Sequence, residues 1–267
     1  MGLARRERTR RPLLLAVAAL VGALAAAALV IAAGSFVLRL QEEAARPEVD
    51  ASAGPPAREL AWSTWDEEAS PNYVTVLGSA VVDVRVPAGQ ISYSPLDEQG
   101  RAGRAVGTIT LDMVRAGIER ERGDILSLHP SGLDHNREVD IELPDGSIHH
   151  GFFWNRSHLV AKSLGGSDEL ENLVCGTRMQ NVGAIDGEGG MSWSEGLVRD
   201  WLFAHPKGTV YYSAQPVYEG DELVCRSVIV DIRSSDGSLD LEVEVHNCAK
   251  GYVIDYATGE FSPAGAW

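Results

Sequence analysis

The residue types with the clearest chemistry lie between positions 155 and 181. His158 follows Arg156 by two residues, and both come just after the apolar stretch Gly151-Phe152-Phe153-Trp154. Two amide side chains, Asn172 and Asn181, come later at nine-residue spacing. A hard cation such as Mg²⁺ prefers oxygen ligands, keeps most of its waters and needs only one or two protein ligands. One imidazole, one amide oxygen and one guanidinium are therefore enough for metal-assisted hydrolysis of a phosphodiester.

The spacing of the two asparagines restricts how they can be positioned. Nine residues of a continuous helix turn through about 900°, which is half a turn away from the starting face. Asn172 and Asn181 would then point in opposite directions. We therefore expect Asn172 to precede the helix that carries Asn181, or that helix to be broken. The hydrophobic alternation is lost over residues 168–182, which predicts a helix or an irregular helix there.

The surrounding elements are predicted from hydrophobic periodicity and turn residues. Asp145-Gly146 predicts a hairpin turn between Val139–Leu143 and Ile148–Trp154. The remaining predictions are a strand at Val81–Val86, helices at Thr110–Arg120 and Ser192–Ala204, and strands at Thr209–Val217, Leu223–Arg233 and Ser238–Asn247. The order of strands, helices and strands predicts an α+β fold on a central antiparallel sheet.

The beginning of the chain has the composition of a membrane segment. Residues 13–38 carry no charge and follow a basic tail at residues 1–12. A signal-peptide core is about 7–15 residues long, whereas a spanning helix needs about 20, so the length favours an uncleaved anchor. The acidic stretch rich in Ala and Pro at residues 39–60 predicts a tether, and residues 61–267 a folded domain.

The basic tail also predicts the orientation of that anchor. Positive flanks remain in the cytoplasm, so the domain at residues 61–267 should face outward from a single-pass segment in the cell membrane. The alternative is a long signal peptide cleaved near Ala32-Ala33-Gly34, which would release a secreted protein. Both interpretations place the domain outside the cell.

The net charge argues against a polyanionic substrate at long range. The whole chain carries −15, and residues 1–39 contribute +5 from six Arg and one Glu, so the remainder carries −15 − 5 = −20. Such a field repels nucleic acids. Binding nevertheless depends on the local field of the groove and on salt, so nucleic acid is not excluded.

The three cysteines give no zinc signature. Cys175, Cys225 and Cys248 form no CxxC pair. Outside the cell, one disulfide and one remaining thiol are expected. Cys225 and Cys248 lie on neighbouring strand-like segments and are the preferred pair, although three pairings are open.

The sequence from 155 to 158, Asn-Arg-Ser-His, resembles the Asp-Arg-Gly-His motif of the DNA/RNA non-specific endonucleases, a branch of the ββα-metal nucleases. Further stretches resemble the bacterial DNA-entry nucleases in particular. They are Tyr93-Ser-Pro-Leu-Asp97, Gly100-Arg-Ala-Gly103, Leu164-Gly-Gly, Glu171-Asn-Leu, Arg178-Met-Gln-Asn181, Pro216-Val-Tyr-Glu-Gly220 and Ile254-Asp-Tyr-Ala-Thr-Gly259. The resemblance covers about residues 90–262 and implies a ββα-metal core on the antiparallel sheet.

The resemblance implies a role for each matched residue. His158 would be the general base, Asn181 the direct ligand of Mg²⁺, with Mn²⁺ as an alternative metal, and Asn172 a supporting catalytic residue. Arg156 stays protonated, so it would position a phosphate or pack structurally. Glu195 resembles the family's acidic residue that orders water near the metal. Helix capping is its alternative role, because Ser192 and Glu195 have capping-box spacing; Glu188 is the second candidate acid.

Two positions depart from the family motif. Asn155 replaces an aspartate, which removes a carboxylate but leaves a carbonyl oxygen to support the site. Ser157 replaces a glycine, which removes backbone freedom.

Contacts to the substrate backbone are predicted for Arg101 and Arg178, with solvation of the surface as the alternative role of Arg101.

The sequence therefore predicts a metal-dependent endonuclease acting on DNA, with RNA as a further substrate and the lipid membrane as a partner. It identifies no protein inhibitor. Two alternatives remain open. One is a phosphodiesterase with a smaller substrate, which the acidic charge favours. The other is a membrane-anchored nucleic-acid-binding module without catalysis, which Asn155 favours.

Overall fold

The computed structural model describes residues 70–265, apart from 122, 144–145 and 186–187. The predicted basic tail, the anchor at residues 13–38 and the tether lie outside these residues. All described residues belong to the second of two compact units, Pro55–Trp267. None of the helices between residues 70 and 265 is long and apolar enough to cross a membrane.

Twelve strands and three α-helices make up the described part. The strands are β1 (Val74–Gly78), β2 (Ile91–Tyr93), β3 (Ala105–Thr110), β4 (Glu138–Glu142), β5 (Ile148–Phe152), β6 (Trp154–His158), β7 (Leu173–Thr177), β8 (Thr209–Val217), β9 (Ser227–Ser234), β10 (Asp240–His246), β11 (Tyr252–Asp255) and β12 (Glu260–Pro263). The helices are α1 (Leu111–Glu119), α2 (Arg178–Val182) and α3 (Gly190–Ala204).

A six-stranded antiparallel sheet forms the centre, in the order β1-β10-β9-β8-β3-β2. Its three long strands are rich in Val, Ile and Tyr, whose branched and aromatic side chains suit a pleated surface. Val210, Val230 and Val243 are fully buried in one core with residues of α1 and α3. The predicted α+β fold with a central antiparallel sheet is confirmed.

The predicted helices form, but one begins earlier than expected. Thr110 caps α1, its hydroxyl accepting from the Met113 amide. The predicted N-cap of the other helix, Ser192, is wrong, since α3 starts at Gly190 and the Ser192 hydroxyl donates to the Gly189 carbonyl. Gly190 adopts φ +60°, and a Cβ there would lie 2.6 Å from the Gln180 carbonyl. Only glycine permits this close approach, and the helix starts here, two residues before the predicted position.

Two predictions near the sheet are also corrected. Residues 173–177 form the strand β7, which pairs antiparallel with β6, so the irregular helix predicted over 168–182 is confined to a 3₁₀ turn at Leu170–Asn172 and to α2. The strand predicted at Val81–Val86 is absent from the described structure. The amides of Ala80 and Val81 bond instead to the carboxylates of Asp240 and Asp231, so this segment does not join the ladder.

A buried side chain, that of Asn247, bonds the β6–β7 hairpin to the segment before β9 of the central sheet. Asn247 accepts from the Thr177 amide at 2.8 Å and donates to the carbonyls of Cys175 at 2.9 Å and Cys225 at 2.8 Å. Thr177 and Cys175 lie on β7, whereas Cys225 lies two residues before β9. The amide therefore fixes the hairpin that carries the candidate site.

The predicted Cys225–Cys248 disulfide is not formed, since all three cysteines are free thiols. Cys225 is buried in the core of the central sheet, whereas Cys248 packs against a second cluster around Phe153 and Trp154. The two thiols thus belong to different hydrophobic clusters. Burial raises the pKa of the Cys225 thiol to about 12, which keeps it protonated.

Candidate active site

A cleft of about 750 Å³ lies between the β6–β7 hairpin, α1, α2 and α3. The predicted site residues that line it are Asn155, Arg156, His158, Asn181 and Glu195. The structure therefore brings together side chains that are up to 40 residues apart in the chain. The remaining predicted residues, Asn172, Arg101 and Arg178, do not line this cleft.

The hairpin and the helix that follows it position the two central residues. His158 is the last residue of β6 and pairs with Leu173, the first residue of β7. At the far end of β7, the Thr177 hydroxyl accepts from the Gln180 amide and caps α2, which carries Asn181. The strand β7 thus returns the chain along β6, so that the helix starts beside the strand that holds His158.

Ser157 contacts the predicted metal ligand directly. Its hydroxyl donates to Oδ1 of Asn181 at 3.3 Å. Ser157 is fully buried. The hydroxyl therefore orients the amide oxygen that would bind a cation.

His158 has a carboxylate partner that the sequence analysis missed. Its Nε2 lies 3.0 Å from Oδ1 of Asp168. The only sequence signal is indirect, because Gly165-Gly166 indicates a turn that returns the chain towards β6. Asp168 also accepts from the Gly123 amide at 3.0 Å, and the Arg120 guanidinium lies 3.7 Å away.

These contacts keep Asp168 ionised. Burial raises the pKa of its carboxyl, but the hydrogen bonds from His158 and Gly123 and the charge of Arg120 lower it further, so the pKa lies below its usual value. An ionised carboxylate only accepts hydrogen bonds, so Nε2 of His158 must be the donor. A neutral His158 ring in this tautomer carries its lone pair on Nδ1.

Arg156 is bound to the protein backbone. Its Nε donates to the Leu128 carbonyl at 2.6 Å, and one terminal nitrogen donates to the Leu126 carbonyl at 2.9 Å. The guanidinium therefore holds the segment around Ile125–Ser127 against the cleft. Of the two roles that the sequence left open for Arg156, these contacts favour structural packing.

Asn172 lies outside the cleft and bonds to the loop that follows His158. The residue is fully buried and precedes β7, as the spacing argument predicted. Its Oδ1 accepts from the Val160 amide, and its Nδ2 donates to the carbonyls of Val160 at 2.9 Å and Ser167 at 2.7 Å. These bonds close the loop between His158 and Asp168.

Glu195 faces the cleft from α3. Desolvation by the surrounding protein raises its pKa to about 7, although the charge of Arg199 lowers it. Arg199 itself donates to the Ser163 hydroxyl at 2.9 Å. A carboxyl with such a pKa exchanges protons near neutral pH, which suits a group close to a reacting phosphate.

The two predicted substrate contacts are engaged elsewhere. Arg101 bonds to Asp97 and to the carbonyls of Gly220 and Glu222. Arg178 donates to the Gly183 carbonyl at 2.8 Å. Both guanidinium groups hold loops, so their positions do not support direct contact with a substrate in the cleft.

The donors in the cleft fit a hard divalent cation. Among residues 70–265, as far as they are described, no group of three His, Cys, Asp or Glu is arranged as a metal chelate. Among the predicted site residues that line the cleft, the oxygen donors are the amides of Asn155 and Asn181 and the desolvated carboxyl of Glu195. One amide oxygen, with water as the other ligands, is a donor set that Mg²⁺ accepts.

Comparison with known proteins identifies relatives of this chain. Residues 83–236, more than half of the chain, match the family model described as DNA/RNA non-specific endonuclease. A "Deoxyribonuclease" from Streptococcus dysgalactiae subsp. equisimilis is 32% identical over 209 residues, which cover 68% of this chain and 63% of the relative. The match thus spans less than two thirds of that relative's length.

Solved structures show the same fold. The structure of Sda1 nuclease with a bound zinc ion superimposes with a TM-score of 0.71 at 34% identity, covering 75% of this chain and 100% of that one. NucA from Streptococcus agalactiae with a bound magnesium ion gives a TM-score of 0.58 at 23% identity, with coverages of 72% and 87%. At that identity, NucA supports the fold alone.

Proposed function

The chain belongs to the DNA/RNA non-specific endonuclease family, and on this premise we propose that it is a divalent-metal-dependent endonuclease that hydrolyses phosphodiester bonds of DNA, with RNA as a further substrate. One observation carries the proposal. His158, held at Nε2 by an ionised Asp168, lines the same cleft as Asn181 and Glu195. A base, an oxygen ligand and an acid thus surround one space large enough for a nucleotide.

The residues of the chain would divide the chemistry as follows. His158 accepts a proton at Nδ1 from the attacking water, and Asp168 stabilises the imidazolium that forms. Asn181 would hold the cation, oriented by Ser157, and Glu195 would hydrogen-bond to water in the cleft. A bound Mg²⁺ would neutralise charge on the scissile phosphate. Arg156 and Asn172 would keep this arrangement rigid.

The proposal is tested by cleavage of plasmid DNA with the full-length chain in the presence of Mg²⁺. We expect nicking and fragmentation that a chelator abolishes and that His158→Ala reduces at least about 100-fold. His150→Ala is the matched control, because His150 is an exposed histidine paired with Asp140 on the surface. Undiminished cleavage by His158→Ala would overturn the assignment of the base.

The same assay separates the alternatives. The acidic charge of −15 is the observation that favours a smaller substrate, and cleavage of a small phosphodiester but not of DNA would support that function. The replacement of the family aspartate by Asn155 favours a module without catalysis, and binding of DNA without cleavage would support it.

We further propose that residues 13–38 anchor the protein in the cell membrane with the nuclease domain facing outward. The proposal rests on the uncharged length of the segment and on the arginines that precede it. Membrane fractionation and protease accessibility of intact cells test it. Recovery of the protein in the medium without residues 13–38 would instead support cleavage and secretion.

A further inference from the structure

Three apolar side chains stand exposed around the candidate active site. Ile118, Leu126 and Phe152 are 53%, 75% and 57% exposed, and all three line the cleft that contains His158 and Asn181. They come from the end of α1, the 3₁₀ turn at Ile125–Ser127 and the end of β5. We name them the apolar rim. Large side chains this exposed beside a reactive cleft indicate contact with an apolar part of a ligand.

The cationic side chains of the cleft hold this rim in place. Of the described residues that line the cleft, two are arginine or lysine: Arg156 and Lys162. Lys162 donates to the Gly117 carbonyl at 2.8 Å, directly beside Ile118, and Arg156 donates to the Leu126 carbonyl at 2.9 Å. Both cations thus bind the backbone that presents a rim residue. This arrangement reduces their capacity to bind phosphates along the substrate.

The chemistry of the rim matches one part of a polynucleotide. The faces of the nucleobases are its large uncharged surfaces, and the rim lines the same cleft as His158, where the scissile phosphate would bind. Base stacking on an aromatic ring contributes to binding and tolerates any sequence. Stacking also avoids the problem that a strongly acidic protein has in attracting phosphates.

We propose that the apolar rim binds nucleobases that flank the scissile phosphate, with Phe152 as the stacking platform, and that it favours single-stranded or unpaired nucleic acid. The inference rests on the proposed nuclease function. In a paired duplex the base faces are covered by their neighbours, so the rim reaches them only after local unstacking. Single strands present their faces without that step.

Cleavage kinetics of full-length variants test the proposal with a single-stranded oligonucleotide and with its duplex. We expect Phe152→Ala to raise KM for the single strand about tenfold with little change in kcat, and Phe152→Trp to restore it. The loss should persist from low to high salt, because stacking releases no counterions. Phe203→Ala is the matched control, since Phe203 is 50% exposed on α3 and does not line the cleft.

A spectroscopic measurement detects stacking without turnover. A short thymidine oligonucleotide with one 2-aminopurine should lose fluorescence on binding to His158→Ala protein, and the loss should vanish when Phe152→Ala is added. Equal KM and equal quenching for Phe152→Ala and Phe203→Ala would overturn the role of the rim. Absence of cleavage by the wild-type protein would instead overturn the nuclease function, so the two failures are distinguishable.

Discussion

Nε2 of His158 lies 3.0 Å from Oδ1 of Asp168, ten residues further along the chain. The pair is enclosed by the loop that Asn172 closes, and both side chains are mostly buried. The carboxylate therefore fixes both the orientation of the ring and the position of its proton.

Replacing Asp168 with Asn should lower kcat about 10- to 100-fold while the fold is retained, because an amide no longer stabilises the imidazolium. Steady-state cleavage of an oligonucleotide measures the effect. Asp140→Asn is the matched control, because Asp140 forms a similar pair with His150 at 2.7 Å on the exposed surface. Equal losses in both variants would contradict a special role for Asp168.

The lowered pKa of Asp168 also predicts a pH dependence of stability. A carboxyl whose pKa is lower in the folded state than in the unfolded state stabilises the folded protein at pH values above the unfolded pKa of about 3.9. This stabilisation is lost as the pH falls through the pKa of the folded state. Asp168→Asn should therefore lower the free energy of unfolding at pH 7 by about 1–2 kcal/mol. Urea titrations should show this difference shrinking towards pH 3.

The raised pKa of Glu195 predicts the opposite pH dependence of stability. Its folded pKa is raised to about 7, so the folded protein loses stability as the pH rises from the unfolded pKa towards 7, by up to about 3 kcal/mol. In the presence of a chelator, Glu195→Gln should be more resistant to urea than the wild type at pH 8 and equal to it at pH 4. Its cleavage rate with Mg²⁺ should fall. A variant that is less stable at pH 8 would contradict the desolvation of this carboxyl.

Ser157→Ala should weaken the response to metal. The Ser157 hydroxyl orients Oδ1 of Asn181 at 3.3 Å, and loss of such a supporting bond reduces metal affinity about tenfold. The Mg²⁺ concentration for half-maximal cleavage measures the change. Ser192→Ala serves as the control, because the Ser192 hydroxyl lines the cleft but bonds to the Gly189 carbonyl. An unchanged Mg²⁺ requirement would show that Asn181 is oriented by other contacts.

Asn172→Ala should destabilise the protein by about 3 kcal/mol, because it removes three buried hydrogen bonds and leaves backbone groups without partners. Activity should fall in parallel, since the loop that carries Asp168 is no longer closed. Far-UV circular dichroism with urea titration and cleavage assays on the same samples test this. A stable, folded variant with abolished cleavage would instead indicate that Asn172 contacts the reacting groups.

The sequence predicted the parts of the fold that rest on local chemistry. Strand β8 follows from its Val and Tyr content, and α1 from its Thr110 cap. It did not predict β7, because Leu173–Thr177 is buried on every residue and shows no alternation. It also placed the start of α3 late, since the close contact of Gly190 with Gln180 is a tertiary effect.

The sequence likewise predicted only part of the candidate site. The sequence points to His158 and Asn181 because they lie in stretches that resemble family motifs, and their roles stay predictions. Asp168 was not, because its partnership with His158 depends on how the Gly165-Gly166 loop returns, which spacing alone does not determine. Arg156 was assigned two roles, and only its bonds to two backbone carbonyls distinguish them.

The buried amide of Asn247 has a consequence for how this protein would unfold on heating. Because its side chain bonds both to β7 and to Cys225, two residues before β9, the hairpin that carries the site should not open as a separate cooperative unit. Hydrogen exchange at the Thr177 amide should then require global unfolding. Thermal inactivation and melting of the central sheet are thereby joined into a single transition.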